Sequence, residues 1–190
     1  MALARIISGG QTGADRGGLD AAIALGIPHG GWCPKGRRAE DGTIPQTYAL
    51  RETASETYEV RTRHNVIAAD GTVLFTRGAP TGGSRLTAEF AHERGKPLLH
   101  LDLQEVDARP AEARRRFVSW LAEHRIRTLN VAGSRESLAP GIRAAVARFL
   151  MQALSADAFA PEPEHVGAEL SGPLPVAAET PAAPGTKRPR

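Results

Sequence analysis

The sequence predicts an α/β fold, a mostly parallel sheet with helices on both faces. Two observations carry this. Short apolar runs alternate with amphipathic helical patterns along the chain, which builds βαβ units and buries the strands on both sides. Three of those runs also end in glycine-rich turns that open into helices: SGGQTGADRGG from Ser8, FTRGAPTGGSRLTAEFA from Phe75 and NVAGSRESLAPGI from Asn130. A strand that hands over to a helix through glycines leaves the first amides of the helix unpaired and facing outward, where they attract an anion. In parallel sheets ligands bind beyond the carboxyl ends of the strands, where all three turns lie.

In order along the chain, Leu3 to Ser8 reads as a buried strand and Asp15 to Leu25 as a helix with Leu19, Ala22 and Ile23 on one face. Gly26 and Pro28 stop that helix. The stretch 28–45 lacks a clear period and is expected to be a long ordered loop after a short strand. Thr53 followed by Glu56 resembles a capping box, after which Val60, His64 and Ile67 mark a helical face. Thr72 to Thr76 is a strand and Ser84 to Glu93 the helix behind the second glycine turn, with Leu86 and Phe90 inward. Pro97 to Leu103 gives a further strand, and Pro110 to His124 a helix burying Ala113, Phe117, Trp120 and Leu121. Arg127 to Ala132 is the last strand and Pro140 to Leu154 the last helix.

The folded domain is expected to span residues 1–154. Residues 155–190 hold 7 of the 14 prolines, show no period and read as a disordered tail. Without them the chain has 21 basic against 16 acidic side chains, a net +5 that permits an anionic ligand without demanding one. Cys33 is the single cysteine, so an internal disulfide is excluded. With no export leader and no apolar run near about twenty residues, a cytoplasmic protein off the membrane is expected.

Each turn offers particular chemistry. In the first, Gly9, Gly10 and Gly13 permit close backbone approach, Thr12 adds a hydroxyl, and Asp15 suits a helix N-cap. The pattern is neither the dinucleotide fingerprint nor a Walker loop, which argues against a metal-nucleotide triphosphatase. In the second, Gly82, Gly83 and Ser84 follow Thr81, with Arg77 at the strand end and Glu89 further along the helix. In the third, Ser134 supplies a hydroxyl and Arg135 a planar fork suited to phosphate oxygens. The loop CPKGRRAEDG adds Lys35, Arg37 and Arg38, which would complete a polyanion site. The six histidines fall in no metal-ligand spacing, and no Gly-x-Ser-x-Gly elbow is present.

The set SGGQTGADRGGLDAA, GWCPKGRRAEDGTIP, GTVLFTRGAPTGGSRLT and NVAGSRES closely resembles the molybdenum carrier family, a circularly permuted branch of the YpsA-like SLOG domains. The resemblance covers residues 4–152 and implies a Rossmann-like three-layer sandwich that binds a phosphorylated ligand and assembles as a homo-oligomer. Its namesake ligand is the molybdenum cofactor (molybdopterin), a pterin with a terminal phosphate and a dithiolene-bound metal. Carried over by position, it makes Gly9, Gly10, Thr12 and Gly13 one anion cradle and Gly82, Gly83 and Ser84 another, with Lys35 and Arg37 as contacts from the loop.

The leading expectation is non-catalytic binding of a phosphorylated ligand or an oxyanion such as molybdate, with carriage or storage of molybdenum cofactor first. The alternative is a nucleotide-derivative sensor or a phosphoribohydrolase-like enzyme acting on nucleoside monophosphates, since TGGSRLTAE is similar to the PGGxGTxxE of the related lonely-guy hydrolases. Glu89 would then be catalytic, although Arg85 and Leu86 stand where those enzymes have Gly-Thr. Nucleic acid is disfavoured, because aromatics are 5% of the chain and no basic stripe is interleaved with them.

Overall fold

The computed structural model describes residues 3–155. In chain order the first half contains β1 (Arg5–Ile7), α1 (Ala14–Ala24), β2 (His29–Gly30), β3 (Trp32–Cys33), a 3₁₀ turn (Lys35–Arg37), β4 (Arg38–Ala39), β5 (Gly42–Thr43) and β6 (Arg51–Glu52). There follow α2 (Tyr58–Ala68), β7 (Gly71–Thr76), α3 (Gly82–Glu93), β8 (Leu98–Asp102), α4 (Leu103–Ala108), α5 (Pro110–Glu123), β9 (Thr128–Gly133) and α6 (Ile142–Leu154). The expected tail, 155–190, lies outside the described residues except for Ser155.

Five parallel strands form the central sheet in the order β2-β1-β9-β7-β8. The last strand in sequence is thus the middle one in space. Phe75 of β7 pairs with Gly133 of β9, so these two strands end level and their turns leave the sheet together. On one face α1, α5 and α6 bury the main core, where Phe149 meets Phe75 and Phe117 edge to face at ring separations of 5.5 and 5.6 Å. On the other face α2 and α3 close over Val66, Phe90 and Ala91. The result is the three-layer Rossmann-like sandwich. Among the described residues, no helix is long and apolar enough to cross a membrane.

Several local expectations change. The helix α2 is capped at Thr57, while the Thr53 hydroxyl donates to the Ser55 carbonyl instead of starting a helix. Its buried face is Thr62, Asn65 and Val66, and Ile67 is exposed. The reason is polar: Asn65 accepts from the Trp32 amide at 2.8 Å and donates to the Trp32 carbonyl at 2.9 Å, satisfying a strand that has left the main sheet. Ile23 likewise points outward from α1, and the short helix α4 had no counterpart in the sequence reading.

The stretch 28–45 is structured as a clasp, through short strand pairs and one arginine. Arg37 is buried with a left-handed φ of 51°, and its guanidinium donates to the carbonyls of Ile44, Pro45, Tyr48 and Leu50 at 2.9 to 3.2 Å. Four of its five N–H donors are therefore spent on the loop's own backbone, where it acts as a brace, and it does not line the cleft described below. Replacing Arg37 by Met leaves those carbonyls without their charged donor, and we expect a loss of about 2 to 4 kcal/mol. Urea unfolding checks this; a change below about 0.5 kcal/mol, the level of an ordinary surface substitution, would contradict it.

Candidate functional site

Because β1, β9 and β7 are neighbours, the three glycine turns meet at one edge of the sheet. They are stitched together by backbone. The Ser134 amide donates to the Phe75 carbonyl at 2.9 Å, and the Ala14 amide donates to the Ser134 carbonyl at 3.1 Å. Gly13, at a φ of 80°, permits the second contact, since a Cβ there would run into the Ser134 and Arg135 backbone.

The first turn is filled from within. Gly13, not Asp15, is the N-cap of α1, and the Asp15 carboxylate folds back to accept from the Gln11 amide at 3.3 Å. The Thr12 hydroxyl donates to Glu40 of the long loop, and the Thr12 amide donates to the Gln11 side chain at 3.0 Å. Glu40 also accepts from the Ser137 hydroxyl at 2.5 Å. Although burial works the other way, the hydrogen bonds from Ser137 and Thr12 hold the Glu40 carboxyl below its usual range. Thr12 thus joins the long loop to the first turn, and Gly10 and Gly13 leave room for the loop side chains and the third turn to pack there.

A small cleft lies where the second and third turns meet, with Gln11 and Asp15 of the first turn also in its wall. It has a volume of about 100 Å³, and its walls include Thr81, Gly82, Gly83 and Ser84 from the start of α3, Ser134 and Arg135 from the third turn, and Arg61 from α2. The Ser84 hydroxyl caps its own helix, accepting from the Thr81 amide at 3.0 Å and donating to the Thr81 carbonyl at 2.7 Å. Gly82 and Gly83 present the first amides of α3, which have no helical partners.

No sequence pattern marks Arg61, one of two arginines in the first half of α2. Its side chain is 13% exposed, and its Nη1 donates to Asp15 at 3.0 Å. Its buried Nε has no hydrogen-bond partner among the described residues. Any Cβ at Gly9 would overlap this guanidinium, which explains a glycine there better than a phosphate does. Burial pushes the Asp15 carboxyl up, and the Arg61 charge opposes that push. No local pattern foretells the pair, since its members lie on helices of opposite layers.

Of the other expected residues, Lys35, Arg77 and Glu89 lie outside the cleft wall and Arg135 lies within it. Lys35 is exposed on the 3₁₀ turn and does not line the cleft. Arg77 pairs with Asp107 of α4 at 3.5 Å. Glu89 is exposed on α3, pairs with Arg85 at 3.4 Å and is absent from the cleft wall. Arg135 keeps only a loose contact with Glu40 at 3.7 Å. Tyr58, Leu86 and Leu138 add apolar surface to the cleft, Leu138 being 68% exposed. A neighbouring hollow holds Arg16 and Arg143, but these are paired with Asp41 and Asp20 at 2.6 and 2.7 Å.

Residues 6–154 match the circularly permutated YpsA SLOG family. The chain belongs to that family. Among solved structures this SLOG domain is similar to the "putative molybdenum carrier protein" of Syntrophus aciditrophicus SB, determined at 1.45 Å resolution. The two are 45% identical with a TM-score of 0.77, over 82% of this chain and 96% of the other. No curated protein sequence matches this SLOG chain.

Gly83 offers the cleanest test of the cleft, because a Cβ there meets nothing within 4 Å. An aspartate at this second position of α3 is compatible with the helix end and places a negative charge in the cleft. We expect Gly83→Asp to unfold within about 0.5 kcal/mol of the wild type while weakening inorganic phosphate binding by about tenfold or more. Equal affinity, measured by calorimetric titration, would place the anion elsewhere.

Proposed function

We propose that this SLOG domain is a non-catalytic binding protein whose cleft receives the phosphoryl end of a phosphorylated ligand, with molybdenum cofactor first among the candidates. The supporting observation is Arg61, a nearly buried guanidinium with an unpartnered Nε–H, set beside Arg135 and the open amides of α3. A fixed fork and two backbone amides on one small cleft suit phosphoryl oxygens. The cleft, at about 100 Å³, accommodates a phosphoryl group and not a pterin. The larger part of such a ligand would lie against Tyr58, Leu86 and Leu138.

The molybdenum cofactor fits this division. Its phosphate suits the cleft, and its metal is already held by the pterin's dithiolene, so the metal travels as cargo. Among the described residues no group of three or more His, Cys, Asp or Glu could hold a metal ion, and Cys33 is buried with Leu19, Ile44 and Tyr48 away from the cleft. The name of the Syntrophus protein is in line with carriage of molybdenum. Hydrolysis of nucleoside monophosphates is the weaker reading, because Glu89 does not line the cleft and pairs with Arg85.

The test is anaerobic purification of the full chain, with mass spectrometry of the co-purifying ligand and metal analysis. A pterin phosphate with molybdenum is the expected result, together with no release of free base from nucleoside monophosphates by the wild type. A co-purifying nucleotide would favour the sensor reading. Base release that falls by about a hundredfold in Glu89→Gln would overturn the non-catalytic reading.

A further inference from the structure

The wall of the cleft carries a charge of the wrong sign for a simple anion site. Asp15 lines it, is only 4% exposed, and its Oδ2 accepts both from Arg61 and from the Gln11 amide. The position of this carboxylate is fixed by those two contacts, which tie α1 to the glycine turn before it and to α2. An oxyanion entering beside Arg61 therefore meets an acceptor as well as donors. Two acceptors without a proton repel each other; with one proton between them they form a short, strong hydrogen bond.

Resting on the phosphoryl reading above, we propose that Asp15 is the specificity-determining residue of the cleft: it admits a phosphate or phosphoryl group, which shares a proton with it, and rejects the proton-free dianions sulfate and molybdate. A phosphoryl group takes up its last proton near pH 6, so the shared proton is available at little cost in neutral solution. Inorganic hydrogen phosphate brings that proton with it. Sulfate and molybdate carry none at neutral pH, so the proton must come from solution onto Asp15, which becomes harder as the pH rises. Arg61 holds Asp15 through Nη1 and also lines the cleft, so one guanidinium adjoins both groups.

The other charges around Asp15 do not take over this role. Glu40 of the long loop is held by Thr12 and Ser137, and Asp41 by Arg16. From the third turn, Arg135 leans towards Glu40, and Glu136 accepts from the amides of Gly141 and Arg143. On α6, Arg143 pairs with Asp20 of α1. The residues that α3 contributes to the cleft are uncharged.

Calorimetric titration of the full chain with inorganic phosphate, sulfate and molybdate, at about pH 6.5 and about pH 8, tests this. The wild type should bind phosphate about tenfold or more tightly than either dianion at the higher pH, with the gap narrowing at the lower. In Asp15→Asn, which accepts and donates without a charge, phosphate and sulfate should come within about threefold of each other. Should that variant fail to fold, the wild-type ratio and its pH dependence decide the matter. Sulfate or molybdate binding as tightly as phosphate at the higher pH would overturn the proposal and leave the anion cleft standing. Failure of all three to bind would overturn the phosphoryl reading itself.

Discussion

The insertion of β9 between β1 and β7 is the constraint on which the site depends. A parallel strand added at the edge of the sheet would have left the three glycine turns apart. In the middle, its carboxyl end lies between the other two, and the turn after it can reach both. The Ser134 backbone does so, its amide donating to the end of β7 and its carbonyl accepting from the start of α1. The opening that remains, between the second and third turns, is bounded by backbone whose position is set by the sheet.

The sheet edge alone does not give the cleft its charge. Arg61 arrives from α2, on the opposite layer from α1, and is held over the edge by Asp15. The glycine at position 9 makes room for that guanidinium, so the first glycine turn serves an internal ion pair. Breaking one partner of a nearly buried pair leaves the other charge uncompensated, which fixes both residues in place. The long loop contributes by closing the first turn through Thr12 and Glu40 and by bracing itself on Arg37. Its basic residues are therefore structural or exposed, and the positive charge of the cleft comes from Arg61 and Arg135.

Much of the fold was legible because buried strands show as short apolar runs, as at Thr72 to Thr76, and amphipathic helices by their period, as at Pro110 to His124. The glycine turns were legible too, since strand, glycines and helix follow one another in sequence. What could not be read was anything requiring a partner from another layer. Asn65 looks like a surface residue until β3 leaves the sheet and needs its backbone satisfied. Arg37 resembles a ligand contact until four carbonyls converge on it. Arg61 sits among other arginines on a helix of weak period, and only its pairing with a residue 46 positions earlier distinguishes it. The alternation of strands and helices gives the α/β class, while the division of labour among the turns depends on side chains that meet only in the folded chain.

The most direct test of this account is a nuclear magnetic resonance titration of the full chain with inorganic phosphate, following the backbone amides and the arginine Nε–H signals together. If the cleft between the second and third turns is the anion site, the Gly82 and Gly83 amides and the Arg61 Nε–H should shift along one saturating curve, while the amides of Gly10 and Thr12 stay close to their starting positions. Shifts confined to the first turn, or an Arg61 signal that does not move at saturation, would contradict it.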